Sequence, residues 1–169
     1  MKKYSLKKMT STFFIDRFLR GLSRYVTCLP SDMVSNVKDL LRSNPNIPCP
    51  CFFVINTAPS HIHNNGHWLL LTCHNNNNIE LFDSLALTKD QLPTEILQFL
   101  QEFKVRTFSH KPIQSPLSNF CAIYAIARAL SVSKGESLSK FQQYFHNEML
   151  HKNDLIATQY ILDSIPTLY

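Results

Sequence analysis

The order of segments predicts an α+β fold: helices first, a hairpin-like pair of strands in the middle, then helices again. Three patterns carry that reading. Between Thr10 and Arg24, Phe13, Phe14, Arg17, Phe18 and Leu22 recur at three- and four-residue spacing, as on one face of a helix. In the middle, the strand-like runs HWLLLTC (67–73) and IELFD (79–83) flank the asparagine run Asn75-Asn76-Asn77-Asn78, a residue type that tolerates the backbone angles of a tight turn. Near the end, Phe120 to Leu130 is strongly apolar and too long for a typical strand.

The remaining elements follow in chain order. Ser31 is a good N-cap for a helix through Arg42, with Val34, Val37, Leu40 and Leu41 on one side. Asn44 to Pro50 holds three prolines and is irregular. Cys51 to Asn56 reads as a short strand, and the His- and Asn-rich stretch Pro59 to Gly66 as a loop. Leu92 to Phe103 reads as a helix, Val105 to Phe108 as a strand, and Lys111 to Leu117, with Pro112 and Pro116, as a loop. The apolar helix from Phe120 takes Ser118 or Asn119 as its cap, and helices over 136–150 and 154–162 close the chain. With no repeat and no linker, the expectation is a single domain over 1–169.

Composition narrows the function classes. The chain has 169 residues, 44% of them apolar and 17% charged, enough for one real core. No apolar run is long enough to span a bilayer; the best, Cys121 to Leu130, is cut by Arg128. The start shows no signal-peptide pattern, and five cysteines is an odd number, so the thiols read as reduced and intracellular. A special cysteine is then chemical rather than structural. The net charge of +5 is concentrated. Within 1–24, a basic helical segment, Lys2, Lys3, Lys7, Lys8, Arg17, Arg20 and Arg24 stand against a single acid, Asp16, while the rest is nearly neutral. Such a cap fits contact with a polyanion such as DNA, or equally a solvated terminus.

Three local features point to nucleophilic catalysis. His67 opens one central strand, Asp83 closes the other, and the loop Gln114-Ser115-Pro116-Leu117-Ser118-Asn119-Phe120 delivers Cys121 to a helix start. If Cys73 lies opposite Ile79 across a five-residue loop, Leu69 faces Asp83, and His67 and Asp83 share a side; a one-residue slip would separate them. Unpaired N–H groups and the dipole at a helix N-terminus favour a thiolate at Cys121. An imidazole beside it forms an ion pair and later donates a proton, while a carboxylate fixes the ring. The Cys121 N–H and the Gln114 amide are natural donors to an oxyanion. Each residue alone also has an ordinary reading: Cys121 beside Ala122 and Ile123 as a small core residue, and His67 beside Trp68 as a core histidine.

The order H-W … D … Q-x6-C, from about Ile55 to Arg128, resembles the adenovirus endopeptidase (adenain) family and its relatives the SUMO-specific isopeptidases. VINTA (54–58) ahead of His67-Trp68 and the six-residue spacing from Gln114 to Cys121 look adenain-like; Asp83-Ser84-Leu85 looks more like the isopeptidases. The resemblance implies a papain-like cysteine protease core with a central mixed sheet flanked by helices. It implies His67, Asp83 and Cys121 as a triad, Gln114 in the oxyanion hole, and no metal. It further implies cleavage of viral or mobile-element precursor proteins after small residues, often glycine, during particle maturation, by a monomer in the virion and host nucleus or in the cytoplasm. DNA and an activating peptide enter as implied cofactors. Two departures stand out. Ala122 occupies the place where both families carry glycine, and Phe103 to Ile113 lacks the cysteine that adenain pairs with its peptide, which argues against a disulfide-linked activator. The alternatives are a deubiquitinating or deSUMOylating isopeptidase, and a non-enzymatic nucleic-acid-binding or zinc module, the latter using Cys49, Cys51, His61 and His63.

Overall fold

The computed structural model describes residues 12–23, 26–44, 46–62, 66–75 and 78–164. Lys2, Lys3, Lys7, Lys8, Arg24 and His63 lie outside them. The fold is α+β, a mixed five-stranded sheet flanked by helices. The strands are β1 (Val26–Pro30), β2 (Cys51–Asn56), β3 (Trp68–Asn75), β4 (Asn78–Phe82) and β5 (Lys104–Phe108), and they lie side by side in chain order. β2, β3 and β4 run antiparallel to one another, while β1 joins β2 and β5 joins β4 in parallel. The helices are α1 (Thr12–Arg20), α2 (Ser35–Ser43), α3 (Thr94–Gln101), α4 (Cys121–Ser133), α5 (Leu138–Gln142) and α6 (Leu150–Ser164).

Side-chain alternation divides the core between the two faces of the sheet. Phe52, Val54, Leu70 and Phe82 face α1, α4 and α6, whereas Cys51, Phe53, Ile55, Leu69, Leu71, Ile79 and Leu81 face α2 and α3. Because helices cover both sides, β2 reads as a continuous apolar run rather than an alternating one. β1 escapes the sequence reading: it is short, lies at an edge and ends in a proline, which an edge tolerates.

Helix boundaries differ from expectation for identifiable reasons. Ser31 does not cap α2. It is buried, its N–H donates to the Ala58 carbonyl at 3.3 Å, and it opens a 3-10 turn (Ser31–Met33) before α2 starts at Ser35. Pro93 holds the N-cap position of α3, so that helix starts later than Leu92. The single helix expected over 136–150 is short instead. Ser137 caps α5, accepting from the Lys140 N–H at 3.2 Å, and the chain leaves helix after Gln142 so that Phe145 enters the core.

Helix α4 is the keystone. Every residue from Ala122 to Val132 is buried, and it packs between β3, α1 and α6. One of those residues is Arg128, 1% exposed. Its Nε and a terminal nitrogen donate to the two Glu80 oxygens at 2.8 and 2.9 Å, a bidentate pair that ties the helix to β4. The other terminal nitrogen reaches Ser131 Oγ and the Glu136 carbonyl. Burial alone would raise the Glu80 pKa, but donors from His74 and Arg128 hold it below the usual carboxylate value. Truncating one partner strands the other charge in the core. Arg128→Ala is therefore expected to cost about 3–5 kcal/mol of stability, read by urea unfolding.

Candidate active site

The sheet register decides whether His67 and Asp83 meet. Cys73 pairs with Ile79 and Leu70 with Phe82, which continues to Leu69 opposite Asp83, the register anticipated from the sequence. The ladder does not stop at Cys73 as expected; a bulge carries the pairing on to Asn75 and Asn78. His67 stands one residue ahead of β3 and Asp83 one residue past β4. Both are thus at the sheet's end, and there His67 Nε2 and Asp83 Oδ1 approach to 2.6 Å.

Each partner is fastened by its own neighbours. The His67 N–H donates to Thr57 Oγ1 and its carbonyl accepts from the Thr57 N–H, both at 2.8 Å, which continues the β2–β3 ladder by one step. Gly66 enters that step with φ of +127°, and a Cβ there would lie 1.9 Å from Asn56 Oδ1, so a side chain is excluded. The Asp83 carboxylate sits in a turn that wraps around it. The Leu85 N–H donates to Oδ1 and the Leu87 N–H to Oδ2, each at 2.8 Å. Between them Ala86 takes φ of 52°, a left-handed conformation strained for alanine, and this lets both amides converge on one anion. The Asp83 N–H donates to Ser109 Oγ at 3.0 Å.

Nε2 is engaged by Asp83, and the Cys121 side chain is among the groups that raise the ring's pKa. Cys121 is the half-buried first residue of α4. The N-cap position is Phe120, with no side-chain cap; Ser118 and Asn119, the expected caps, do not serve. Ser118 lies two residues ahead of the N-cap, where its hydroxyl donates to Asp154 Oδ2 at 2.8 Å and accepts the Phe120 N–H at 3.2 Å. Burial alone would lower the His67 pKa, but the Asp83 carboxylate and Cys121 outweigh it and carry the ring up to about 9.

Gln114 is 1% exposed and its amide orientation is fixed from both ends. Oε1 accepts from Ser84 Oγ at 2.6 Å and Nε2 donates to the Ser118 carbonyl at 2.8 Å. The Ser84 carbonyl also accepts the Ile113 and Gln114 N–H groups. The residue beside Asp83 thereby carries the loop leading to Cys121. Asn153, fully buried, adds a bond from Nδ2 to the Ile113 carbonyl at 2.8 Å. Asp154 Oδ1 accepts from Tyr124 OH at 3.0 Å, and burial followed by this carboxylate pushes the Tyr124 phenol pKa up.

Sequence reasoning missed Thr57, Ser84, Ser109, Asn153 and Asp154. All are short polar residues fully or partly buried in a hydrogen-bonded setting, and no spacing rule marks them. Of the basic cap, Arg17 and Arg20 are described and exposed, and Arg20 Nε is bridged to Asp16 at 2.6 Å. For the zinc alternative, Cys51 pairs with Cys73 inside the sheet and Cys49 is exposed; among the described residues no group of three or more metal-ligating side chains gathers.

The raised His67 value has a consequence for stability. It lies above the ordinary 6.5, so the ion pair's contribution is complete below about pH 6.5 and is lost as pH rises through about 9. The stability difference between the protein and His67→Gln is expected to shrink across that window in urea titrations; a constant difference would contradict the pairing.

No family model matches the chain, and no curated protein sequence matches it significantly. Solved structures do match in fold. The central domain of the uncharacterized Lpg1148 protein from Legionella pneumophila is 16% identical with a TM-score of 0.50, over 89% of this chain and 95% of that one. Two structures of the SUMO protease Ulp1, with the catalytic cysteine oxidized to a sulfinic acid in one and a sulfenic acid in the other, are 17% identical with a TM-score of 0.49, over 92% of this chain and 78% of theirs.

Proposed function

We propose that the protein is a cysteine endopeptidase in which Cys121 is the nucleophile, His67 the acid–base and Asp83 the residue that orients the ring. The observation that carries this reading is the 2.6 Å contact of His67 Nε2 with Asp83, made by a ring whose pKa is also raised by Cys121, the first residue of a helix. A lone structural histidine needs neither an ion-paired carboxylate nor a thiol near enough to shift its pKa. In the forward reaction the Cys121 thiolate attacks the scissile carbonyl carbon and an oxyanion forms. The Cys121 N–H and the second Gln114 amide hydrogen, the first being held by Ser118, are the donors proposed for it. Protonated His67 then gives its proton to the departing amine as the C–N bond breaks, leaving a thioester. Water attacks that ester with His67 as base, the C–S bond breaks, and the acid product departs as the Cys121 sulfur is set free again.

The sequence resemblance supplies the finer proposal: cleavage of precursor proteins after small residues, glycine above all, with DNA contact through the basic N-terminal segment. The isopeptidase reading is the runner-up, and Asp83-Ser84-Leu85 favours it. A probe of peptidyl-glycine vinyl sulfone, read by mass spectrometry of peptides, tests the main reading. The adduct is expected on Cys121 and is expected to vanish in Cys121→Ala and His67→Ala. The other thiols are poor competitors. Burial and then Asp16 push Cys28 up to about 12, burial also raises Cys49, and Cys51 and Cys73 are inaccessible. Labelling of Cys28 or Cys49 with Cys121 untouched would sink the proposal. A SUMO or ubiquitin C-terminal vinyl sulfone that reacts where the peptide does not would favour the runner-up. Gln114→Ala is expected to lower turnover of a Gly-Gly-aminocoumarin peptide by about 100-fold, and a near-normal rate would remove Gln114 from the oxyanion site.

A further inference from the structure

The loop between Gln114 and Cys121 has little packing of its own. Pro116 and Asn119 are exposed and Leu117 is 95% exposed; Phe120 packs against the core at the loop's end, and polar contacts fix the course before it. Some close within the loop on Ser115, and the one that leaves it for α6 ends on Asp154, near the start of that helix. One carboxylate oxygen takes Ser118 Oγ at 2.8 Å and the other takes Tyr124 OH at 3.0 Å. Ser118 and Tyr124 stand three residues before and three residues after Cys121. Ser118 in turn offers its carbonyl to Gln114 Nε2 at 2.8 Å and its Oγ to the Phe120 N–H at 3.2 Å. A chain of hydrogen bonds therefore runs from Asp154 through Ser118 to the Gln114 amide, and it is separate from the bonds that hold His67 and Asp83.

We propose that Asp154 is a positioning residue: by holding Ser118 it sets the orientation of the Gln114 amide, and so tunes oxyanion stabilisation without touching the thiol–imidazole pair. This rests on the reading of Cys121 as nucleophile. It also makes α6, remote in sequence, part of the machinery. The alternative is that Asp154 merely staples α6 to α4 through Tyr124 and supports the fold as a whole.

Two reagents that attack the same sulfur separate these roles. The p-nitrophenyl ester of N-acetylglycine acylates a thiolate through a tetrahedral oxyanion: the S–C bond forms, the C–O bond breaks and p-nitrophenolate leaves. Iodoacetamide is displaced at a saturated carbon: the S–C bond forms, the C–I bond breaks, iodide leaves and no oxyanion arises. Both rates at Cys121 are measured in the wild type, Asp154→Ala, Ser118→Ala and the double variant, by nitrophenolate release and by mass spectrometry. Acylation is expected to fall about tenfold in each single variant, the size of effect a small misplacement of a catalytic donor produces, while alkylation keeps its wild-type rate. The double variant is expected to be no slower than the singles, because both cut one chain. Unchanged acylation, a parallel fall in both rates, or additive losses would each overturn the proposal. Ser118→Ala, which removes a single hydroxyl from a surface loop, carries the test by itself if Asp154→Ala does not fold. Failure of the underlying reading is distinguishable: the wild type would then alkylate at Cys28 or Cys49 no more slowly than at Cys121, and this inference would fall with it.

Discussion

The hydrogen bond between His67 and Asp83 is the constraint on which the rest of the site depends. It is a product of register, since side chains alternate along a strand with a period of two and a slip of one residue would reverse the relation. The β3–β4 pairing places Leu69 opposite Asp83, and Thr57 extends the β2 ladder just far enough to seat His67. Strict alternation would still send both residues toward the α2–α3 side, where Leu69, Leu71 and Leu81 lie, and away from α4. Each stands one step beyond its paired strand, where the sheet no longer dictates direction. The site is therefore built at the edge of regular structure, and the turn at Ala86, strained by its positive φ, supplies two backbone donors that keep the carboxylate aimed.

The third partner is delivered by burial rather than by register. α4 is buried from Ala122 to Val132, and a helix enclosed in this way has few alternative settings. Its small residues, Ala122, Ala125, Ala127 and Ala129, let it approach its neighbours closely, and the Arg128–Glu80 pair fixes its rotation and height against β4. The strand that ends in Asp83 is the strand that carries Glu80. One element thus positions both the acid beside His67 and the helix that begins at Cys121.

Much of this was legible before any coordinates. The helical start, the central hairpin with its register, and the apolar helix from residue 121 all followed from apolar periodicity and turn chemistry, the signals a single sequence carries best. His67, Asp83, Gln114 and Cys121 stood out as candidates because reactive residue types fall at element ends in a chemically sensible order, and the contact of His67 with Asp83 followed from the register. What was illegible falls into two kinds. β1 and the short α5 depend on partners distant in the chain, β2 for one and the pocket receiving Phe145 for the other, and local pattern is silent about them. The polar fastenings at Thr57, Ser84, Asn153 and Asp154 use common residues whose meaning is wholly tertiary. Ser118 shows the difficulty: its position before a helix reads as a cap, yet the helix starts two residues later than a Ser118 cap requires, and Phe120 occupies the N-cap instead.

Ala122 is the departure that bears most directly on whether the site can work. Glycine after a nucleophile suggests that something passes close to that backbone, and a methyl would then obstruct it. Here Ala122 is 0% exposed and belongs to the core cluster with Ile123, Tyr124 and Ile126. Its methyl therefore points into the protein, not into the space that a substrate would enter beside half-buried Cys121. At the first turn of a buried helix, alanine is also favoured over glycine, by about 1 kcal/mol in helix interiors and less near an end, because less backbone freedom is lost on folding. The substitution then strengthens the turn that begins at Cys121. The same reasoning explains why glycine is required at 66 and not at 122. At 66 the Cβ direction is filled by Asn56 and the backbone is left-handed, while at 122 the Cβ direction is core.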